Sequence, residues 1–185
     1  MVIDYFRGSR TKISVAFFYF DYQDEDRQSP ALVLSSILRQ LVATLSEIPQ
    51  SISDAYEKHQ KSGTSCSLEE LEQLMKDVLK IVDQSVIIID ALDECDKSRH
   101  RKPFLQILRR LQQIQNLRVF VTSRQNFQDI MVAFNSHPQI AITAHNFDLQ
   151  CYMRQEMELA GLDEIVDASF ANTIIKAVIA KAQGM

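Results

Sequence analysis

Apolar positions along this chain switch between helical and strand spacing, and the switches outline the elements. Asp4 to Lys12 reads as the tail of a helix ending near Gly8, where Arg7, Arg10 and Lys12 suit a carboxyl terminus. Ile13 to Tyr22 (ISVAFFYFDY) is dense in β-branched and aromatic residues and predicts a strand, with Gln23 to Gln28 a charged loop after it. Ser29 followed by Pro30 predicts a helix start, and Leu34, Ile37, Leu38, Leu41, Val42 and Leu45 form its apolar stripe. Pro49 opens a second helix over Gln50 to Lys61, ended by the polar stretch around Gly63. Ser67 with Glu70 predicts a capping box, and Leu68, Leu71, Leu74, Met75, Val78, Leu79 and Val82 keep helical period behind it.

Val86 to Asp90 is a continuous apolar run closed by an acid, the pattern of a strand buried on both faces. A helix from Pro103 to Gln113 follows, with Phe104, Ile107, Leu108 and Leu111 inward, then a short strand from Leu117 to Thr122. A short helix from Phe127 to Phe134 and a weaker strand from Gln139 to Thr143 complete this part. Leu149–Leu159 and Val166–Lys181 predict two closing helices. Strands alternating with helices indicate α/β architecture with a parallel sheet.

Composition narrows the function classes. The 185 residues are about one domain's worth of chain, 46% hydrophobic and 24% charged. A net charge of −4, with acids spread throughout, argues against a general nucleic-acid or anionic-membrane binder. The first residues, interrupted by Asp4 and Arg7, do not resemble a signal peptide, and no apolar run approaches the ~20 residues of a membrane span. Cys66, Cys95 and Cys151 are far apart and suit reduced thiols in the cytoplasm. The four histidines show no HxxxH or HExxH spacing, which gives no pointer to a metal site.

The chemistry concentrates in Val86-Ile87-Ile88-Ile89-Asp90-Ala91-Leu92-Asp93-Glu94-Cys95-Asp96. α/β proteins bind ligands beyond the carboxyl ends of their strands, so Asp90 is placed to hold Mg²⁺ directly or through water. Asp93 or Glu94 can then polarise an attacking water. This is the pattern of a Walker B strand. Ser123-Arg124, after the strand LRVFVT, falls on the same edge of a parallel sheet, where a guanidinium can read a terminal phosphate. Lys97, Arg99, His100, Arg101 and Lys102 read as a solvated basic loop. The four glycines open neither GxxxxGK[ST] nor GxGxxG, so these residues encode no phosphate cradle. Asp93-Glu94-Cys95-Asp96 also spells a helicase-like DECD box. There, however, the strand would run directly into the first acid, and here it ends at Asp90.

With IIIDALDECD and RVFVTSR in this order, the chain resembles the NACHT family of signal-transducing P-loop triphosphatases, in particular the nephrocystin-like modules of filamentous fungi. The segment VAFFYFDYQDEDRQSPALVLSSILRQL is similar to their second strand and following helix. The resemblance implies a three-layer α/β/α parallel sheet of P-loop NTPase type that lacks its first strand and Walker A loop. It implies a partial nucleotide-binding domain over residues 1–145 and the start of a helical lid over 146–185. It makes Asp90 the acid that holds Mg²⁺ through water, Asp93 and Glu94 the catalytic acidic pair, and Arg124 the sensor arginine. The missing strand and loop are expected upstream of Met1, with a gap beside Val119 and Val121.

Family members couple ATP/ADP exchange to oligomerisation, and in fungi they serve non-self recognition and cell-death signalling. Mg²⁺ and ATP or ADP are thus the implied ligands of the intact family, with weak or no binding by these residues alone. The implied partners are further copies or full-length NACHT relatives, with no nucleic acid and no membrane. The competing expectation is a stand-alone, non-catalytic interaction protein that pairs with such relatives.

Overall fold

The computed structural model describes residues 13–143, 145–162 and 165–182, and the expected helix tail at Asp4–Lys12 lies outside them. The described chain divides into two compact units, one ending at Ser136 and the other beginning at His137.

The first unit is built on a three-stranded parallel sheet in the order β1 (Ile13–Tyr19), β2 (Gln84–Asp90), β3 (Leu117–Val121). Ile13 to Tyr19 pairs in register with Gln84 to Asp90, and Ser85 to Ile89 with Leu117 to Val121. Parallel neighbours need long crossovers, and helices supply them. Between β1 and β2 come α1 (Pro30–Val42), α2 (Gln50–Ser62) and α3 (Leu68–Ile81). Between β2 and β3 lies α4 (Arg101–Leu111), and α5 (Gln128–Ala133) follows β3.

Ala16, Ile87, Ile89 and Val119 share one sheet face and join the main core with Leu34, Ile37, Leu41, Met75, Leu79, Phe104 and Leu108. The opposite face carries a separate small cluster of Val15, Val86 and Ile88, with Ile13 and Phe17 beside it. That cluster recruits no helix among the described residues, so the second helical layer expected for a three-layer sandwich is not seen there. The outer edge of β1 is closed by a side chain. Gln40 accepts the Phe17 N–H at 3.1 Å and donates to the Phe17 carbonyl at 2.8 Å, so the backbone groups of that edge residue are paired.

Local signals mark some of the helix ends. Ser29 caps α1 by accepting the Leu32 N–H, and Ser67 caps α3 by accepting the Glu70 N–H at 3.2 Å. The expected capping box is one-sided, because the Glu70 carboxylate turns instead to Lys58 and His59. Gly63 ends α2 in the left-handed region (φ 63°), where a Cβ would be strained.

Several expected elements differ in extent, the helix expected from Leu149 beginning at Asn146 among them, and one does not form. The first strand stops at Tyr19, and Tyr22–Arg27 winds into a 3-10 turn. The helix expected from Pro103 begins at Arg101. Gln139–Thr143 forms no strand, and Ile140 and Ile142 stand 86% and 83% exposed.

In the second unit, α6 (Asn146–Leu159) and α7 (Ala168–Ala182) pack around Met157 and Ile175. Asp167 accepts the N–H groups of Ser169 and Phe170 and so sets the start of α7 two residues beyond Val166. No helix among the described residues is long and apolar enough to cross a membrane.

Candidate functional site

The site forms where β2 and β3 end side by side. Parallel pairing brings Ile89 opposite Val121, so the segments Asp90–Asp96 and Thr122–Arg124 leave the sheet together. Ala91 is the one described non-glycine residue with positive φ (52°). This left-handed step costs of order 1 kcal/mol for a residue with a Cβ. It turns the chain sharply into the short 3-10 segment Leu92–Glu94.

Two layers of bonding hold that turn. Thr122 supplies the inner one. Its hydroxyl donates to Asp90 Oδ1 at 2.5 Å and accepts the Ala91 N–H at 2.9 Å, while its carbonyl accepts the Leu92 N–H at 3.0 Å. Asp90 Oδ2 has no hydrogen-bond partner among the described residues.

Arg124 supplies the outer layer. Its backbone N–H donates to Asp93 Oδ1 at 3.1 Å. Its guanidinium lies 3.4 Å from both Asp93 Oδ2 and Glu94 Oε1. The Asp93 side chain is 4% exposed and that of Arg124 73%, so the acid is fixed in the wall while the cation fans over the rim. Glu94 Oε2 also accepts the Tyr22 N–H at 3.2 Å, which ties in the turn after β1.

Beneath these groups sits Arg101, which is 3% exposed. Its Nη2 donates to the carbonyls of Asp93 (2.5 Å) and Cys95 (2.6 Å), and its Nε to Cys95 at 3.0 Å. Nη1 pairs with Asp129 at 3.5 Å, and the guanidinium stands 4.9 Å over the Phe127 ring. Arg101 therefore belongs to the framework of the acidic turn and not to a solvated basic loop. No local pattern marks it, since a run of five basic residues among six looks the same whether or not one turns inward. Cys95 beside it is buried, and burial pushes its thiol up to about 12, out of reach of nucleophilic chemistry at neutral pH.

Tyr22, Asp93, Glu94, Asp96, Lys97 and Arg124 rim an open cleft of about 360 Å³, with Cys95, Arg101 and Phe127 at its floor. Of the four residues singled out from the sequence, Asp93, Glu94 and Arg124 meet in this cleft. Asp90 lies behind them, at the strand end and bound to Thr122. Acids and an exposed guanidinium facing one open cleft can take a hydrated cation and an anionic oxygen together.

Residues 1–124, two thirds of the chain and all four of these positions included, match the family model described as nephrocystin 3, N-terminal. The chain belongs to that family. No curated protein matches it.

Proposed function

We propose that this chain is the acidic half of a nucleotide-dependent switch of the NACHT P-loop type, with a fold of P-loop NTPase kind. The observation that carries the proposal is the bridging of Asp93 and Glu94 by Arg124 beyond the ends of two adjacent parallel strands. Ligands of α/β sheets sit at that edge.

The residues present suit Mg²⁺ in kind. Asp90 Oδ2 is a hard oxygen with no protein donor among the described residues, while the Asp90, Asp93 and Glu94 carboxylates do not gather within 4.8 Å of one another, which suits contact through water and not direct ligation by all three. In this reading Asp90 would hold Mg²⁺ through water, and the ion would supply charge neutralisation at the phosphates. Asp93, fixed by the Arg124 N–H, and Glu94, fixed by the Tyr22 N–H, orient a water at the rim. Arg124 exchanges its carboxylate partners for a terminal phosphate and thereby reports whether one is there.

These residues contain no GxxxxGK[ST], so the reading assigns phosphate anchoring to groups outside them and expects weak nucleotide binding by this chain alone. In protein that binds nucleotide, Arg124→Ala should weaken ATP binding more than ADP binding, measured by calorimetry with Mg²⁺ present. Equal losses for the two nucleotides would remove the sensor role.

A second reading, a non-catalytic module that pairs with relatives, is favoured by β3. This strand is hydrogen-bonded only to β2 among the described strands, which leaves its other edge available to a further strand. Assembly with relatives, as further copies or as full-length NACHT proteins, belongs to both readings, and a cytoplasmic location suits both.

A further inference from the structure

The turn between α2 and α3 collects His59, Cys66 and Glu70, whose ligand atoms all lie within 4.8 Å of one another. No helical ligand spacing announces this, because His59 ends one helix, Cys66 lies in the turn and Glu70 begins the next. Gly63 makes the reversal that brings them together.

The hydrogen bonds around His59 fix its proton. Ser62 Oγ donates to the Lys58 carbonyl at 2.8 Å, so it can only accept from Thr64, whose Oγ1 is 2.7 Å away. With its own proton committed, Thr64 Oγ1 must accept from His59 Nδ1 at 2.7 Å. A neutral His59 therefore carries its hydrogen on Nδ1 and turns the Nε2 lone pair toward Glu70 Oε2, only 2.6 Å away. Two acceptors that close need a positive centre between them, either a proton or a metal ion.

We propose that His59 Nε2, Cys66 Sγ and a Glu70 carboxylate oxygen form a binding site for Zn²⁺, which clips the end of α2 to the start of α3. Nitrogen, thiolate and carboxylate are the donors zinc takes, at about 2.0–2.3 Å, with water completing a tetrahedron. Ligands around such an ion stand roughly 3.2–3.8 Å apart. The His59–Glu70 pair, now at 2.6 Å, therefore opens by roughly 0.6–1.2 Å. The Thr64 hydroxyl on Nδ1 is the kind of outer partner that fixes tautomer and ring orientation in metal sites. All three ligands are half-buried, so an ion can enter without the helices parting. Lys58 holds Glu70 Oε1 at 2.9 Å, but its side chain is 66% exposed and free to swing into water when the cation arrives. The Cys66 thiol, which burial holds above its ordinary range, releases its proton to water as the sulfur binds the metal.

Cobalt titration of the full chain, followed by back-titration with zinc, tests the site. The expected result is a thiolate-to-cobalt charge-transfer band with tetrahedral ligand-field bands, both removed by stoichiometric Zn²⁺. Cys66→Ser should abolish the charge-transfer band, and Cys151→Ser should leave it intact. Thr64→Val should weaken zinc binding roughly 10–100-fold, and Thr64→Ser should restore it. Absence of the band in the wild-type chain would mean that only a proton joins His59 and Glu70, and would overturn the proposal. A band that survives Cys66→Ser would overturn it equally. Far-ultraviolet circular dichroism confirms folding of each variant.

Discussion

Thr122 donates its hydroxyl to Asp90 Oδ1 at 2.5 Å, joining the last residue of β2 to the first residue beyond β3. The same oxygen accepts the Ala91 N–H, so a single side chain orients the acid and supports the left-handed step after it. Thr122→Val keeps the shape but leaves both groups unpaired, and should cost about 1–3 kcal/mol. Thr122→Ser should recover most of that. Denaturant midpoints of the three proteins measure the difference, and a valine variant as stable as wild type would show that the bond carries no weight.

Arg101 and Arg124 make opposite predictions although both are arginines beside Asp93. Replacing Arg101 with Met strands the carbonyls of Asp93 and Cys95 in a buried place, and should destabilise by about 3 kcal/mol or more. Lys should not substitute, because one ammonium lacks the planar fork that reaches both carbonyls. Arg124→Ala removes two 3.4 Å contacts made by an exposed guanidinium, while the backbone N–H at 124 still pairs the buried Asp93 carboxylate, and should cost about 1 kcal/mol. Urea titration separates the two cases.

Glu72 makes stability sensitive to acid. Hydrogen bonding to Arg110, at 2.8 and 2.6 Å, leads the causes that lower its carboxyl from an ordinary 4.5 to about 2, with Lys76 helping against burial. A group depressed in the folded state stabilises above its unfolded value and loses that contribution as pH falls. The window is therefore from about 4.5 down to about 2. Arg110 is half exposed and screened by water, which limits the contribution to about 2 kcal/mol. Glu72→Gln should lower the melting temperature at pH 7 and flatten its fall over that window.

Thiol reactivity should rank with exposure. Cys151 is exposed and should react with a disulfide reagent at once, while Cys95 should react only on unfolding. Peptide mapping after a timed pulse of reagent gives the order, and early labelling of Cys95 would contradict its place beneath the acidic turn.

What could be read in the sequence was local or periodic. Ser29, Ser67 and Gly63 act on backbone groups a few residues away, and Val86 to Ile89 needed burial on both faces to make sense. Asp93, Glu94 and Arg124 could be placed together because parallel strands put their carboxyl ends on one edge. What could not be read depends on partners distant in sequence or absent. Ile140 and Ile142 alternate as a strand should, yet Gln139–Thr143 forms none, because alternation alone does not supply a pairing partner. Arg101 turns inward because the carbonyls left by the Ala91 turn need a donor, a demand that arises only after the chain has bent. Glu70 had the spacing for a capping box and was drawn off by His59 and Lys58 on another helix.

If the acidic edge of this sheet serves a nucleotide switch, as proposed, the native protein holds nucleotide there. The most direct test is to purify the endogenous polypeptide natively with an antibody to residues 57–70, keep Mg²⁺ present, and identify what small molecule it releases on denaturation. The expected result is stoichiometric ADP or ATP, lost when Mg²⁺ is chelated, in native protein where these residues act together with the phosphate-anchoring groups that they do not themselves contain. Native protein that carries no nucleotide, and takes up none when MgATP is added, would contradict it and leave the non-catalytic pairing module as the better description.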